Sequence, residues 1–434
     1  MLNTGDTAWM LVSTALVLLM MPGLALFYGG LVRSKNVLST FMHSFVVLGL
    51  ITLQWAVVGY SLAFGPDHGG LVGGLSHAFM RGVDLAPRPG DSIPHMLFFA
   101  YQMMFAIITP ALISGAYAER LKFSAYALFT LLWATLVYDP LAHWVWGNGG
   151  WMAKMGVLDF AGGLVVHISS GVSALVVALV VGKRLGYPRE RGIPHNVTLV
   201  LLGAGILWFG WFGFNGGSAG AASGTAVLAL VNSQLAAAAG GMAWLIVDLV
   251  RYGKASAVGF ASGLVAGLAT VTPASGFVGP LGAIAIGVAA GLACYGAVML
   301  KSRFNYDDTL DAFGVHGVGG AVGTLLLGVF AAKAWNSNGA DGLLAGNAAL
   351  LGKQALAVLV TIAFSVAGTL VILKVVDAVV GLRVTADEER EGLDINLHGE
   401  EGYSIGSSSF GRTDVFAAPQ AQEAAPKGSP VPAS

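Results

Sequence analysis

The chain has 434 residues, of which 56% are hydrophobic and only 10% charged, and its formal net charge is −1. A soluble domain carries about 25% charged residues, so a water-facing surface of this size is excluded, as is disorder over most of the length. The near-neutral balance gives no electrostatic case for nucleic acid, and the single cysteine, Cys294, excludes an internal disulfide and any metal site built from several thiolates.

Eleven stretches reach the roughly 20 mostly apolar residues that a membrane span needs. In chain order they are 8–31, 39–64, 95–117, 124–142, 161–182, 196–217, 225–250, 257–273, 280–300, 312–333 and 352–381. They are rich in Ala, Leu, Val and Gly and lack the alternating segments of about 10 residues that mark a membrane β-barrel. The expected fold is therefore an all-α membrane protein with eleven transmembrane helices. Met1–Ala8 holds only Asp6 as an ionisable side chain, and the first apolar run is of full span length, so it reads as the first span and not as a cleaved signal.

The short loops alternate in charge. One set holds twelve basic residues, Arg33, Lys35, Arg120, Lys122, Lys183, Arg184, Arg189, Arg191, Arg251, Lys254, Lys301 and Arg303. The other holds five, Arg81, Arg88, Lys154, Lys333 and Lys353. The positive-inside rule puts the first set in the cytoplasm, the N-terminus outside and, after an odd number of spans, the C-terminus inside.

The spans repeat. Val166-His167-Ile-Ser-Ser-Gly171 in the fifth answers Val315-His316-Gly-Val-Gly-Gly320 in the tenth, and Phe27-Tyr28-Gly29-Gly30 in the first answers Phe214-Asn215-Gly216-Gly217 in the sixth. Equivalent elements lie five spans apart, so the halves enter the membrane from opposite sides. This is an inverted repeat of helices 1–5 and 6–10 plus an eleventh helix, an architecture that places a solute path between the halves.

His167 and His316 stand in otherwise apolar spans, where ionisable groups are expensive and mark a pathway or relay. His167 follows Asp159 by eight residues, about 12 Å of helix, and His316 follows Asp311 by five, about 7.5 Å. Both imidazoles should approach the midplane of a core about 30 Å thick and meet there. Two histidines also suit zinc, but no third ligand recurs at a fixed offset, and Ser169 and Ser170 lack the turn and oriented base of a hydrolase. Asp159 precedes the apolar run 160–181 and reads as a helix cap whose carboxylate also favours a cation nearby. Aromatic clusters follow: Trp144-Val-Trp146 in the loop before the fifth span, Tyr101-Gln-Met-Met-Phe105 in the third, and Trp208 to Asn215 in the sixth. Most of these are explained by interface belts and packing, yet a tryptophan face at a vestibule holds a small cation by about 0.5–2 kcal/mol.

Taken together, these residues resemble the ammonium transporter (Amt) family of the Amt/Mep/Rh superfamily. The motifs are Pro22-Gly-Leu-Ala-Leu-Phe-Tyr-Gly-Gly30, Phe105-Ala-Ile-Ile-Thr109 leading to Ala118-Glu-Arg120, His143-Trp-Val-Trp-Gly147, Asp159-Phe-Ala-Gly-Gly163 with His167, Trp208 to Ser218, and Asp307-Asp-Thr-Leu-Asp-Ala-Phe-Gly-Val-His316, over residues 1–405. The resemblance implies a homotrimer with one pore per protomer, nitrogen uptake as ammonium or ammonia, no cofactor, no metal and no enzymatic activity. It implies that Trp146, Ser218 and Phe105 recruit ammonium, that Phe105 and Phe214 form a stacked gate, that His167 and His316 line the pore and relay a proton, and that Asp159 supports recruitment and deprotonation. Tyr101 stands where the family leads one to expect Phe. Trp146 with Ser218 favours Amt over the Rhesus branch.

Residues 1–382 read as the membrane domain. Residues 383–405 are abruptly charged and resemble the family's cytoplasmic regulatory segment, which in many bacterial members meets a PII-type signalling protein. From Gly406 to Ser434 the composition reads as disorder. A second class of function, an ammonium sensor signalling through the tail, would be expected to carry an output domain. The expected location is the cell (inner) membrane.

Overall fold

The computed structural model describes residues 1–190 and 192–403. Arg191, the last two residues of the 383–405 segment and the 406–434 tail lie outside the described residues.

Eleven apolar helices form the body. They are α1 (Thr4–Leu31), α2 (Val37–Gln54, continued through a π-turn at Trp55–Gly59 to Tyr60–Phe64), α3 (His95–Tyr117), and α4 (Phe123–Trp133, a π-turn at Ala134–Tyr138, then Asp139–Trp146). Next come α5 (Gly163–Val181), α6 (Val197–Gly217), α7 (Gly224–Tyr252), α8 (Ala257–Val271), α9 (Pro280–Phe304), α10 (Phe313–Phe330) and α11 (Ala348–Val380). Ten are long and apolar enough to cross a bilayer, and α8, with 15 residues, is the short one. A short helix, α12 (Ala386–Glu391), and a π-turn at Asp394–His398 follow on the tail. The only sheet among the described residues is a two-stranded hairpin, β1 (Asp67–His68) and β2 (Val72–Gly73), antiparallel in the loop after α2.

In lipid every backbone polar group needs a partner, so helix ends are capped where they leave the apolar layer. The Asn3 side chain accepts from Asp6 N at 3.1 Å, Asn196 from Leu199 N at 3.1 Å, and Ser256 from Gly259 N at 3.0 Å. The sequence places Trp144 and Trp146 in a loop; the structure puts both in the last turn of α4, because the chain stays helical through Asp139-Pro140 and the proline falls in the first turn of the resumed helix, where its missing N–H is harmless.

The two halves pack face to face. Helix α1 runs along α6, its counterpart one half later, in the most extensive helix contact of the molecule. Helices α5 and α10 both open with a π-turn, Gly163–Ile168 and Phe313–Gly317, and each π-turn carries its histidine. They cross at Gly171 and Gly317: a Cβ on Gly171 would stand 2.0 Å from Gly317 N, so only glycine permits this approach.

Candidate functional site

An open cavity of about 820 Å³ lies at one end of the half-to-half interface, floored by Tyr101, Phe105, Trp146 and Ser218. Trp146 is fixed by its indole N–H, which donates to the Asp159 carbonyl at 2.9 Å. Ser218 follows the last residue of α6, and its hydroxyl donates to Phe214 O at 2.8 Å. With its proton spent there, the Ser218 oxygen keeps its lone pairs for a donor in the cavity. The Tyr101 hydroxyl lies 2.8 Å from Phe214 O, 2.9 Å from Gly213 O and 3.3 Å from Ser218 Oγ. The phenol therefore satisfies the carbonyls at the end of α6 and does not add an open polar group to the floor; Tyr101 is 2% exposed.

Directly beneath, the Phe105 and Phe214 rings stand 4.2 Å apart at 33°, and Phe105 meets Trp146 edge-on at 6.0 Å. Both phenylalanines are buried, and together they close the cavity floor. Beyond them is a narrow apolar lumen of about 20 Å³, lined by Leu24, Phe27, Leu112, Phe214, His167 and His316 among others. That is room for about one water-sized molecule.

His167 Nδ1 and His316 Nδ1 are 3.2 Å apart and the rings are nearly parallel, at 11°. Trp211 stacks on His167 at 5.6 Å and is itself held by donating to Thr272 Oγ1 at 3.0 Å. The Nε2 of His167 is buried without a protein partner. The close crossing at Gly171 and Gly317 is what lets rings from opposite halves touch.

Asp159 directs both carboxylate oxygens at free amides of the first turn of α5: Gly162 N at 2.8 Å, Gly163 N at 2.7 Å, Leu164 N at 2.7 Å and Val165 N at 3.3 Å. The sequence measures His316 from Asp311, but the structure gives the corresponding place to Asp308, whose carboxylate accepts from Ala312 N at 3.1 Å and Phe313 N at 2.8 Å. Asp311 instead pairs with Lys301 at 2.5 Å. The signal was present in the spacing: Asp308 precedes His316 by the same eight positions that separate Asp159 from His167. Thus Trp146, Ser218 and Phe105 line the cavity, Phe214, His167, His316 and Trp211 line the lumen, and Asp159 and Asp308 line neither but cap the helices that carry the two histidines. Among the described residues no group of three or more His, Cys, Asp or Glu is placed to hold a metal.

At the opposite end, where the tail lies, charged groups tie the halves together. Arg184 bridges Asp307 at 2.9 Å and Glu119 at 3.0 Å, and Arg33 also reaches Glu119 at 3.0 Å. Burial pushes the Glu119 carboxyl up, but Arg184 and Arg33 outweigh it and hold it below the usual carboxylate range. Burial likewise opposes ionisation of Asp307, and Arg184 and Arg120 again prevail. The tail docks on this face. Asp394 accepts from Leu38 N at 3.0 Å and Ser39 N at 2.8 Å, capping α2, while Leu393 N donates to Asn36 Oδ1 at 2.8 Å. Glu389 accepts from Leu185 N at 2.6 Å and from Arg383 at 2.7 Å.

The comparisons with known proteins agree with one another. The family model described as Ammonium Transporter Family matches residues 8–403. An ammonium transporter of Bacillus subtilis is 50% identical over 404 residues, covering 93% of this chain and 99% of its own. Ammonium transporter Amt1 of Archaeoglobus fulgidus is 47% identical over 403 residues, covering 93% and 100%. The crystal structure of Saccharomyces cerevisiae Mep2 superimposes with a TM-score of 0.83 at 40% identity, covering 89% of this chain and 91% of that one. With a match that runs nearly end to end in both sequence and fold, the chain belongs to the ammonium transporter family.

Proposed function

We propose that each protomer recruits the ammonium ion at Trp146, Ser218 and Phe105, strips it of a proton, and passes ammonia through the lumen while His167 and His316 carry the proton separately. The observation that carries this reading is the Nδ1 to Nδ1 contact of 3.2 Å in a lumen of about 20 Å³. Ammonium and potassium ions are similar in size, so a sieve cannot separate them. A lumen this narrow and apolar penalises any ion that keeps its charge. Ammonium escapes the penalty by giving up a proton; potassium cannot.

The vestibule suits the first step. An aromatic face attracts a small cation by about 0.5–2 kcal/mol, and the free lone pairs of Ser218 accept an N–H. Asp159 adds its charge close by, although four amides already share it. The histidine pair suits the second. Two Nδ1 atoms at 3.2 Å share one hydrogen. When His167 carries it, His167 Nε2 is a bare acceptor and His316 Nε2 bears the other pair proton. A proton arriving at His167 Nε2 moves the shared hydrogen to His316, whose Nε2 proton leaves on the far side. Phe105 and Phe214 keep water from bypassing the pair.

The loop charges favour a cytoplasmic tail and an outer vestibule. The family likeness supports a homotrimer in the cell membrane and a PII-type protein as a partner for the docked tail. The test is current and ammonia flux measured together in liposomes of the purified protein, with potassium as competitor. Ammonium current without potassium current in the native chain, lost in His167→Ala and in His316→Ala, is the expected result. Native ammonium current in both variants with potassium still excluded would overturn the relay.

A further inference from the structure

The wall of the vestibule carries an imidazole that none of these steps uses. His77 lies in the loop between α2 and α3 and lines the same cavity of about 820 Å³ as Trp146 and Ser218. Its position is fixed on every side but one. The backbone N–H donates to Ser61 Oγ at 2.9 Å, and the buried Ser61 hydroxyl is in turn tied to Gly74 O at 2.6 Å. The ring packs against Tyr60 at 5.7 Å and meets His95 edge-on at 5.4 Å. Nδ1 stands 2.9 Å from the Arg81 carbonyl. A carbonyl only accepts, so Nδ1 carries the hydrogen and Nε2 of the neutral ring is a bare acceptor. Among the described residues Nε2 has no protein partner and is not among the buried orphan atoms, so it is at least partly accessible on a residue that lines the cavity.

The local backbone is bent to achieve this. Phe79 and Met80 are consecutive non-glycine residues in the left-handed region, with φ of 56° and 58°. Such residues cost on the order of 1 kcal/mol each and persist where the surroundings over-determine them, a pattern that gathers at binding segments. Here the double turn folds the chain back so that the Arg81 carbonyl reaches its own neighbour's ring. The other charged and titratable groups around His77 are already engaged. Arg88 pairs with Asp91 at 2.6 Å and lies 3.3 Å over the Phe98 ring. Asp84 accepts from Ala86 N at 3.0 Å, and His95 Nε2 is 2.5 Å from the Tyr60 hydroxyl. The Arg81 side chain donates to Ala78 O at 3.2 Å.

We propose that His77 is an acceptor for ammonium on the vestibule wall, a holding point ahead of Trp146 and Ser218, and that protonating its ring both removes the acceptor and repels the ion. The inference rests on the recruitment of ammonium from this cavity put forward above. A rigid ring with one free lone pair on an aromatic wall matches a small cation that donates hydrogen bonds, and it gives nothing comparable to potassium. A ring that gains a proton at Nε2 has no acceptor left, so the affinity of the vestibule weakens once the ring is charged.

The experiment is ammonium-evoked current in proteoliposomes of the full chain, at equal pH on both sides, giving KM and maximal current at about pH 7.5 and about pH 5.5. The native KM is expected to rise on the order of fivefold between the two, as one added charge in a wet cavity implies. His77→Gln keeps an acceptor oxygen and an N–H for Arg81 without a titrating charge, so its KM should match the native value at the higher pH and stay flat. His77→Lys should show the raised KM at both. Trp146→Leu, measured alongside, reports on the underlying recruitment. If Trp146→Leu raises KM while both His77 variants follow the native protein at both pH values, the role of His77 is refuted alone. If Trp146→Leu also leaves KM unchanged, recruitment from this cavity fails with it.

Discussion

Helices α5 and α10 are two versions of one device, and they differ in how they spend their charge. Each begins with a carboxylate eight positions ahead of a histidine, opens with a π-turn, and brings an imidazole to the same contact. At α5, Asp159 serves four amides and its carbonyl takes the Trp146 indole. At α10, Asp308 serves two amides, its carbonyl takes Lys301 at 2.7 Å, and Asp307 beside it joins Arg184 and Glu119. The vestibule end is thus built around one anion whose field is distributed into backbone, and the tail end around a set of opposite charges. An inverted repeat keeps the geometry that brings the histidines together while its two mouths diverge.

The largest effect tests what the helices share. General acid and base groups are worth about 10²-fold or more, so His167→Ala and His316→Ala should each lower ammonium current by that order while the purified particle elutes as the native one does. A loss confined to one of the two would show that the halves are not equivalent in the relay.

Next comes the difference in capping. Asp159→Ala orphans more amides than Asp308→Ala, and a lost cap costs about 0.5–2 kcal/mol. Thermal unfolding in detergent should therefore show the greater fall for Asp159→Ala. Asn caps without charge, so Asp159→Asn should recover most of the stability but not the transport. Equal melting losses in the two alanine variants would erase the proposed distinction between the mouths.

Third, Trp146→Leu with Ser218→Ala removes the cation face and the acceptor at the α5 mouth alone. With about 0.5–2 kcal/mol at stake, KM should rise by roughly 2- to 30-fold with little change in melting temperature. An unchanged KM would separate Trp146 and Ser218 from recruitment.

The smallest effect belongs to the α10 mouth. Glu119 and Asp307 are held below the usual carboxylate range by Arg184 and its neighbours despite burial. A depressed folded-state pKa contributes stability above the unfolded value, about 4 for carboxylates, and loses it as pH falls through the folded value. Melting temperature should stay level from neutrality to about pH 5 and fall below about pH 4, and Arg184→Gln should flatten that decline. A decline of equal steepness in Arg184→Gln would remove this cluster as its cause.

Hydropathy made the eleven spans legible because lipid leaves the backbone no alternative to continuous helix. Even α8, at 15 residues, stands out by composition alone. His167, His316 and Asp159 stand out in the sequence as ionisable residues in or beside apolar runs, whereas Ser218 and the Phe105–Phe214 pair enter only through the family resemblance. Ending the fourth span at residue 142 leaves Trp146 in a loop, whereas the helix runs on through Asp139–Trp146. Asp311 is the nearer carboxylate and masks Asp308 in the sequence, although the interval to the histidine distinguishes them. The partners of the Tyr101 hydroxyl and of Trp211 had no local signal, since they depend on how α3, α6 and α8 pack across the two halves. Nor did any pattern in the tail announce that Asp394 reaches Leu38 and Ser39, more than 350 positions away.

That last contact orders the life of the chain in time. The amides at the start of α2 emerge from the ribosome among the first forty residues, yet the carboxylate that closes them arrives only with Asp394. Until the chain has been made as far as Asp394, those amides lack this carboxylate. The junction between α1 and α2 is therefore closed about 350 residues after it is made, and a chain that stops short of residue 394 carries an open helix end as a mark of its incompleteness.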